Sequence, residues 1–183
     1  MLPPVIRTER LVLRPWSLDD AGDVFLYAHD AEWSRYLRIA QPYSPEDART
    51  FITAQMSLNR HEHPSWAIEY GARVVGGINL RLLSDLRIGV LGYSIARAVW
   101  GRGLATEAAR AVVGAAFEGC PPLACVRAMV DARNLASLRV LEKIAMRRET
   151  VLRSNRASND GLVDEVWCEI ARRDWEAERQ AGR

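Results

Sequence analysis

The chain has 183 residues, 49% hydrophobic and 26% charged, with a net charge of only +2. That is the make-up of an ordinary soluble globule, long enough for one domain, 1–183, with a substantial core. So small a charge disfavours nucleic-acid binding driven by phosphate contacts. The longest uncharged apolar stretch, Ile88 to Ala96, falls far short of the ~20 residues that cross a bilayer, so no membrane partner is expected. Cys120, Cys125 and Cys168 show no metal or redox spacing, and the N-terminus lacks a basic, apolar leader; reduced thiols and a cytoplasmic location follow as expectations.

In chain order, Arg10 to Arg14 alternates apolar Leu11 and Leu13 with polar neighbours and predicts a first strand. Ser17 is placed to cap a helix running to about His29, with Asp19 and Asp20 in its first turn. Ser44-Pro45-Glu46-Asp47 is a stronger start, combining an N-cap, Pro at N1 and an acid at N3. The helix it opens carries Phe51, Ile52 and Met56 as its apolar stripe, with Ala48 and Gln55 at the margins. Trp66 to Tyr70, a Gly71-Ala72 turn and Arg73 to Leu83 predict a hairpin, and Gly76-Gly77 in its second arm predicts a bulge or a close backbone approach. Further strands are expected over Ile88 to Ile95, Leu123 to Val130, Arg147 to Arg153 and Val163 to Ile170, with a polar loop from Ser154 to Gly161.

The strand Ile88 to Ile95 runs into Trp100-Gly101-Arg102-Gly103-Leu104-Ala105-Thr106, after which Leu104, Ala108, Val112, Ala115 and Ala116 repeat at helical spacing. Two glycines therefore stand where a strand turns into a helix. The first N–H groups of a helix lack intrahelical partners and carry partial positive charge, and glycine lets them approach a ligand closely. A P-loop is excluded because Leu104-Ala105 replaces Lys-Ser/Thr. A dinucleotide fingerprint is excluded because Thr106 replaces the third small residue. Downstream, Asn134-Leu135-Ala136-Ser137 opens another helix, with Asn134 suited to the N-cap.

The Gly-x-Gly-x-Ala loop and the Asn-x-x-Ser after it resemble the GCN5-related N-acetyltransferases (GNAT). Trp100 in front of the loop is similar to the ribosomal-protein-alanine N-acetyltransferase-like branch. The resemblance covers nearly the whole chain: Thr8 to Pro15, Asp19-Asp20-Ala21, Glu32-Trp33 with Tyr36-Leu37, Tyr43 to Ala48, Val163 to Trp167 and Arg173 to Trp175 fall in the family's order. Glu142-Lys143-Ile144-Ala145-Met146 departs from the family's Glu-Lys-x-Gly-Phe at two positions.

The resemblance implies an α/β (α+β) single-domain GNAT fold, a central mixed, mostly antiparallel twisted sheet of about seven strands flanked by about four helices. It also implies an acetyl-CoA-dependent N-acetyltransferase in which an amine attacks directly within a ternary complex. Gly101, Arg102, Gly103, Leu104, Ala105 and Thr106 would hold the pyrophosphate. Asn134 would hold the pantetheine arm, and N–H groups near Ile95 would meet the thioester carbonyl. Many relatives carry a Tyr acid where Leu141 stands here, which leaves Ser137 as the candidate catalytic acid. Trp33 and Tyr36 would line the acceptor cleft, although ordinary aromatic packing explains them equally well.

Glu69, Asp164 and Glu165 are weak candidates for a base, since each alternates as a solvent-facing strand residue does. His61-Glu62-His63 lacks further ligands, so no metal is expected. The acceptor is an amine: a protein N-terminus, a polyamine or an aminoglycoside. Asp30, Glu32, Glu46 and Asp47 would suit a cationic one, yet acids at helix starts have a sufficient structural reason. A non-catalytic CoA-binding regulatory domain and a phosphate-binding protein of another fold are the competing readings, the latter leaving Asn134 and Ser137 unexplained. The sequence leaves monomer or homodimer open.

Overall fold

The computed structural model describes every residue except Met1, Arg38, Ala40, Ser84, Asn159, Asp160, Gly182 and Arg183. Its strands are β1 (Ile6–Arg7), β2 (Val12–Arg14), β3 (Ser65–Tyr70), β4 (Arg73–Leu82), β5 (Ile88–Ile95), β6 (Cys125–Asp131), β7 (Arg147–Ser158) and β8 (Gly161–Ala171). They form one eight-stranded sheet in the order β1-β2-β3-β4-β5-β6-β8-β7. The helices are α1 (Ala21–Ala28), α2 (Ala31–Ser34), α3 (Pro45–Met56), α4 (Leu104–Gly119), α5 (Leu135–Lys143) and α6 (Arg172–Ala181).

The local signals act largely as the residues suggest. Ser17 and Ser44 each accept from the N3 region and close capping boxes with Asp20 and Asp47, satisfying donors that a helix start leaves open. The Ser17 helix begins as a 3₁₀ turn, Leu18–Asp20, before α1. The first strand is shorter than expected, because Thr8 donates its N–H to the Leu11 carbonyl and a turn occupies 8–11. Along α3, Ala48 and Ile52 face the core, but Met56 is 54% exposed, so the helical stripe ends a turn earlier than the apolar run. Within the expected 154–161 loop the described residues are strand: β7 reaches Ser158 and β8 begins at Gly161. The expected close approach at Gly76 is present. A Cβ there would lie 2.2 Å from the Ser94 oxygen, and the register of β3 on β4 shifts beside it.

Leu104, Ala108, Ala109, Val112, Val113, Ala116 and Phe117 of α4 are buried against the sheet, each large member contributing about 1.5–3 kcal/mol of apolar burial. That face anchors α4 beneath β4 and β5, and so sets where its N-terminus lies.

Candidate active site

Neighbouring strands are antiparallel except β5 and β6, and this one parallel pair builds the site. Its register runs only from Ile88↔Cys125 to Leu91↔Ala128. Beyond Leu91, β5 stays with β4 as far as Ile95, while β6 stays with β8 as far as Asp131. The two strands therefore part and open a cleft at their carboxyl ends, where α/β sheets place ligands. Both connections from this pair lead into helices, so the N-termini of α4 and α5 reach the same end of the sheet.

The parting leaves a main-chain edge. The Ala96 N–H donates to the Val75 carbonyl, and the Ile88 carbonyl accepts from Leu83, so even-numbered residues of β5 face β4. By strand alternation, Tyr93 and Ile95 turn their main-chain groups to the open side. The Ile95 carbonyl is occupied by the Trp100 indole N–H at 2.7 Å. This contact explains an aromatic donor at the head of the loop: it ties the loop to the end of β5.

Gly101 and Gly103 have φ of +75° and +77°, the left-handed region that glycine adopts without strain. Gly103 is the N-cap of α4 and has no side chain to cap with, whereas Ser44 caps α3 and Asn134 caps α5. The first N–H groups of α4 therefore have no side-chain cap. Arg102 is exposed. The loop is braced from behind by the 8–11 turn. Glu107, in the first turn of α4, accepts from the Thr8 hydroxyl at 2.6 Å, the Arg10 N–H at 2.9 Å and Arg10 Nε at 2.7 Å. Arg10 Nη1 also donates to the Arg102 carbonyl at 2.9 Å. Partial burial acts to raise the Glu107 pKa, but the bonds from Thr8 and Arg10 outweigh it and hold the carboxyl below its usual range.

At the start of α5, Asn134 Oδ1 accepts from the Ser137 N–H at 3.0 Å, so its cap role is real and its amide NH₂ is the group left to donate elsewhere. The Ser137 hydroxyl lies 2.7 Å from the Tyr93 hydroxyl, which also donates to the Ser137 carbonyl at 3.1 Å. Burial pushes the Tyr93 pKa up to about 12, against a smaller lowering by Ser137. Leu141, one turn on, is fully buried. Tyr93 was missed from the sequence; its one signal is a polar-tipped ring inside an otherwise aliphatic strand.

A cleft of about 370 Å³ joins these groups to the space under α1–α3. Tyr93, Ser94, Asn134 and Ser137 line one side, and Trp16, Tyr27, Trp33, Tyr36, Tyr43 and Phe51 line the other. Trp33 and Tyr36 are thus brought into the cleft with the Asn134–Ser137 turn. Asp131 also lines it, fully buried, with Arg133 Nη2 at 2.8 Å. None of the three proposed bases lines it. Glu69 pairs with Arg14 at 2.7 Å, Asp164 is exposed, and Glu165 is buried opposite Asp131 rather than solvent-facing. His63 Nε2 bonds Asn79 at 3.2 Å, and among the described residues no His, Cys, Asp or Glu cluster has a metal-binding arrangement. The three cysteines are free and buried. No helix among the described residues is long and apolar enough to cross a membrane.

Residues 10–147 match the acetyltransferase (GNAT) domain family, and the chain belongs to that family. Among similar proteins are the uncharacterized N-acetyltransferase p20 of Bacillus licheniformis, 27% identical over 92% of this chain and 96% of the relative, and the uncharacterized N-acetyltransferase YoaA of Bacillus subtilis, 30% identical over 88% and 93%. A crystal structure of a putative acetyltransferase from T. thermophilus superposes with a TM-score of 0.85 at 26% identity, over 99% of this chain and 96% of that one. The fold is also that of the microcin C7 self-immunity acetyltransferase MccE, solved with acetyl-CoA and AMP, at a TM-score of 0.79 and 16% identity over 90% and 93%. The protein is an acetyl-CoA-dependent acyltransferase of the N-acetyltransferase type.

Proposed function

We propose that the chain transfers an acetyl group from acetyl-CoA to a primary amine by direct attack, with the cleft between β5 and β6 as the reaction site. The observation that carries this reading is the convergence, at the open end of the parallel pair, of an uncapped α4 N-terminus, a free β5 edge and the Asn134–Ser137 turn. The residues present suit the co-substrate. The N–H groups from Gly101 to Thr106 form a concave, positively polarised cradle for a pyrophosphate, and Arg102 adds a positive charge beside it. The Asn134 amide and the β5 edge offer donors and acceptors to an amide-bearing arm. The Ile95 N–H faces the open side, where it would stabilise charge developing on a thioester oxygen.

Acetyl-CoA supplies an activated carbonyl whose leaving group is a thiolate. A nitrogen–carbon bond forms, the carbon–sulfur bond breaks, the proton lost by nitrogen goes to water, and sulfur takes one in return. Ser137 is the candidate donor for that proton: as it gives one up, the Tyr93 hydroxyl turns its own proton from the Ser137 carbonyl to Ser137 Oγ, and water returns a proton to Tyr93. A group whose pKa stands at about 12 remains protonated at neutral pH, and because a thiolate with a pKa of about 8.5 is a weak base, it leaves with no more help than a positioned hydrogen-bond donor. The Trp100 variant of the loop favours the ribosomal-protein-alanine-like branch, and the acceptor is a primary amine, on a protein N-terminus or on a small molecule.

Thermal unfolding with acetyl-CoA, CoA, NAD and ATP tests the reading. A ligand at 100 times its Kd adds about 2.7 kcal/mol, which raises Tm by about 5–10 °C for a domain of this size. The expected result is a shift with acetyl-CoA and CoA and none with NAD or ATP. No shift with either CoA species refutes the proposal.

A further inference from the structure

We infer that the acceptor is a small primary amine carried on a single aromatic body with no second positive charge. The inference rests on the acetyltransferase reading above and deepens it. The cleft wall facing Ser137 is made of rings. Trp16 and Phe51 meet edge to face with centroids 5.3 Å apart, and Tyr27 and Trp33 tilt together at 5.1 Å. Trp16, Tyr27 and Ile78 at its base are buried. Trp16 Nε1 is already used, donating to Ser65 Oγ at 3.0 Å, and the Ser65 hydroxyl in turn donates to Gln55 Oε1 at 2.7 Å. Trp33 Nε1 is different: it is buried without a hydrogen-bond partner in a ring that lines the cleft.

Charge argues the same way. A polyamine or aminoglycoside needs uncommitted carboxylates, and the acids around the cleft are committed. Asp30 caps α2 and pairs with Arg97 at 2.6 Å, Glu32 pairs with Arg35 at 3.4 Å, and Asp47 closes the α3 capping box. Asp131, the one carboxylate among the described residues that line the cleft, is held by Arg133 at 2.8 Å. Glu46 is exposed on α3 and does not line the cleft. An extended peptide needs main-chain partners, and the open strand edge, at Tyr93 to Ile95, is where the pantetheine arm would lie. The apolar wall also prepares the nucleophile. Burial disfavours the ammonium form and lowers an amine's pKa, so the acceptor sheds its proton to water on entry and attacks as the free amine. A polycation would incur that desolvation once per charge.

The test uses the full chain with saturating acetyl-CoA. Thiol release is followed with 2-phenylethylamine, tyramine, spermidine and a tetrapeptide with a free N-terminal alanine. The expected result is that kcat/KM for the two arylalkylamines exceeds the other two by at least about tenfold. Phe51→Ala should raise KM for the arylalkylamines while leaving KM for acetyl-CoA unchanged. Spermidine or the peptide as the better acceptor, or no turnover of either arylalkylamine, overturns the inference. A thermal shift with CoA in the same preparation shows that the acetyltransferase reading survives that outcome, and its absence shows that both fail together.

Discussion

Removing either hydroxyl of the Tyr93–Ser137 pair separates chemistry from folding. Ser137→Ala deletes an Oγ that lies 2.7 Å from the Tyr93 hydroxyl. The α5 cap runs through the Ser137 main-chain N–H to Asn134, so the helix start survives and stability should barely move. Tyr93→Phe deletes a hydroxyl that also serves the Ser137 carbonyl at 3.1 Å. Leaving the Ser137 carbonyl short of a partner in Tyr93→Phe costs about 1–3 kcal/mol, and Tm falls by about 2–4 °C per kcal/mol lost. A positioned acid is worth about 10²–10⁴ in rate. Because the departing thiolate is only weakly basic, the lower end applies, and each variant should lose about 100-fold in kcat. The double variant should lose little more than either single one, since a relay acts as a unit. Steady-state thiol release at saturating acetyl-CoA reads kcat, and KM for acetyl-CoA should stay within about twofold of the parent, because neither hydroxyl is a pyrophosphate contact. With Tyr93 at about 12, the acid stays loaded through the neutral and mildly alkaline range, so kcat should show no alkaline fall that Tyr93→Phe abolishes. Full activity in Tyr93→Phe alongside a dead Ser137→Ala removes Tyr93 from the relay, and unchanged kcat in Ser137→Ala refutes the whole assignment.

Arg10→Gln unties the brace behind the loop and should raise KM for acetyl-CoA about fivefold, the equivalent of one ordinary hydrogen bond, with kcat unchanged. The brace is also pH-sensitive: with the folded Glu107 pKa held down, its contribution is present above the unfolded carboxyl value of about 4.3 and is lost as pH falls through the lower folded value. Calorimetric CoA affinity should therefore hold at about pH 5 and weaken only below the ordinary glutamate range. Gly76→Ala, whose Cβ would meet the Ser94 oxygen at 2.2 Å, should destabilise by about 3 kcal/mol, whereas Gly22→Ala, with nothing within 4 Å in α1, should stabilise by about 0.5–1 kcal/mol; denaturant melts read both. Trp100→Phe keeps a ring but loses the N–H to Ile95, and should raise KM for acetyl-CoA without lowering Tm by more than about 4 °C.

Much of this protein is written in short-range chemistry. The capping boxes at Ser17 and Ser44, the Asn134 cap, the Gly71-Ala72 turn and the α4 stripe depend on residues within a turn or two of each other, so the chain alone specifies them. The glycines of the phosphate-type loop were legible for the same reason: left-handed φ at 101 and 103 is a local demand. The family pattern added the order of the strands and the expected roles of Gly101 to Thr106, Asn134 and Ser137.

What the chain did not reveal lies between distant segments. Tyr93 meets Ser137 across 44 positions and Arg10 meets Glu107 across 97, and no periodicity carries such pairings. Which acids are free is likewise a tertiary matter. Asp30 and Asp131 look like candidates for a cationic substrate until Arg97 and Arg133 are seen beside them, while Glu165, outward by alternation, is buried opposite Asp131. The sequence by itself determined the elements and the type of loop, because those follow from local backbone preference and apolar period. Only the tertiary structure decided where β5 parts from β6, which hydroxyl backs Ser137 and which rings line the cleft, because packing alone brings those separate surfaces together.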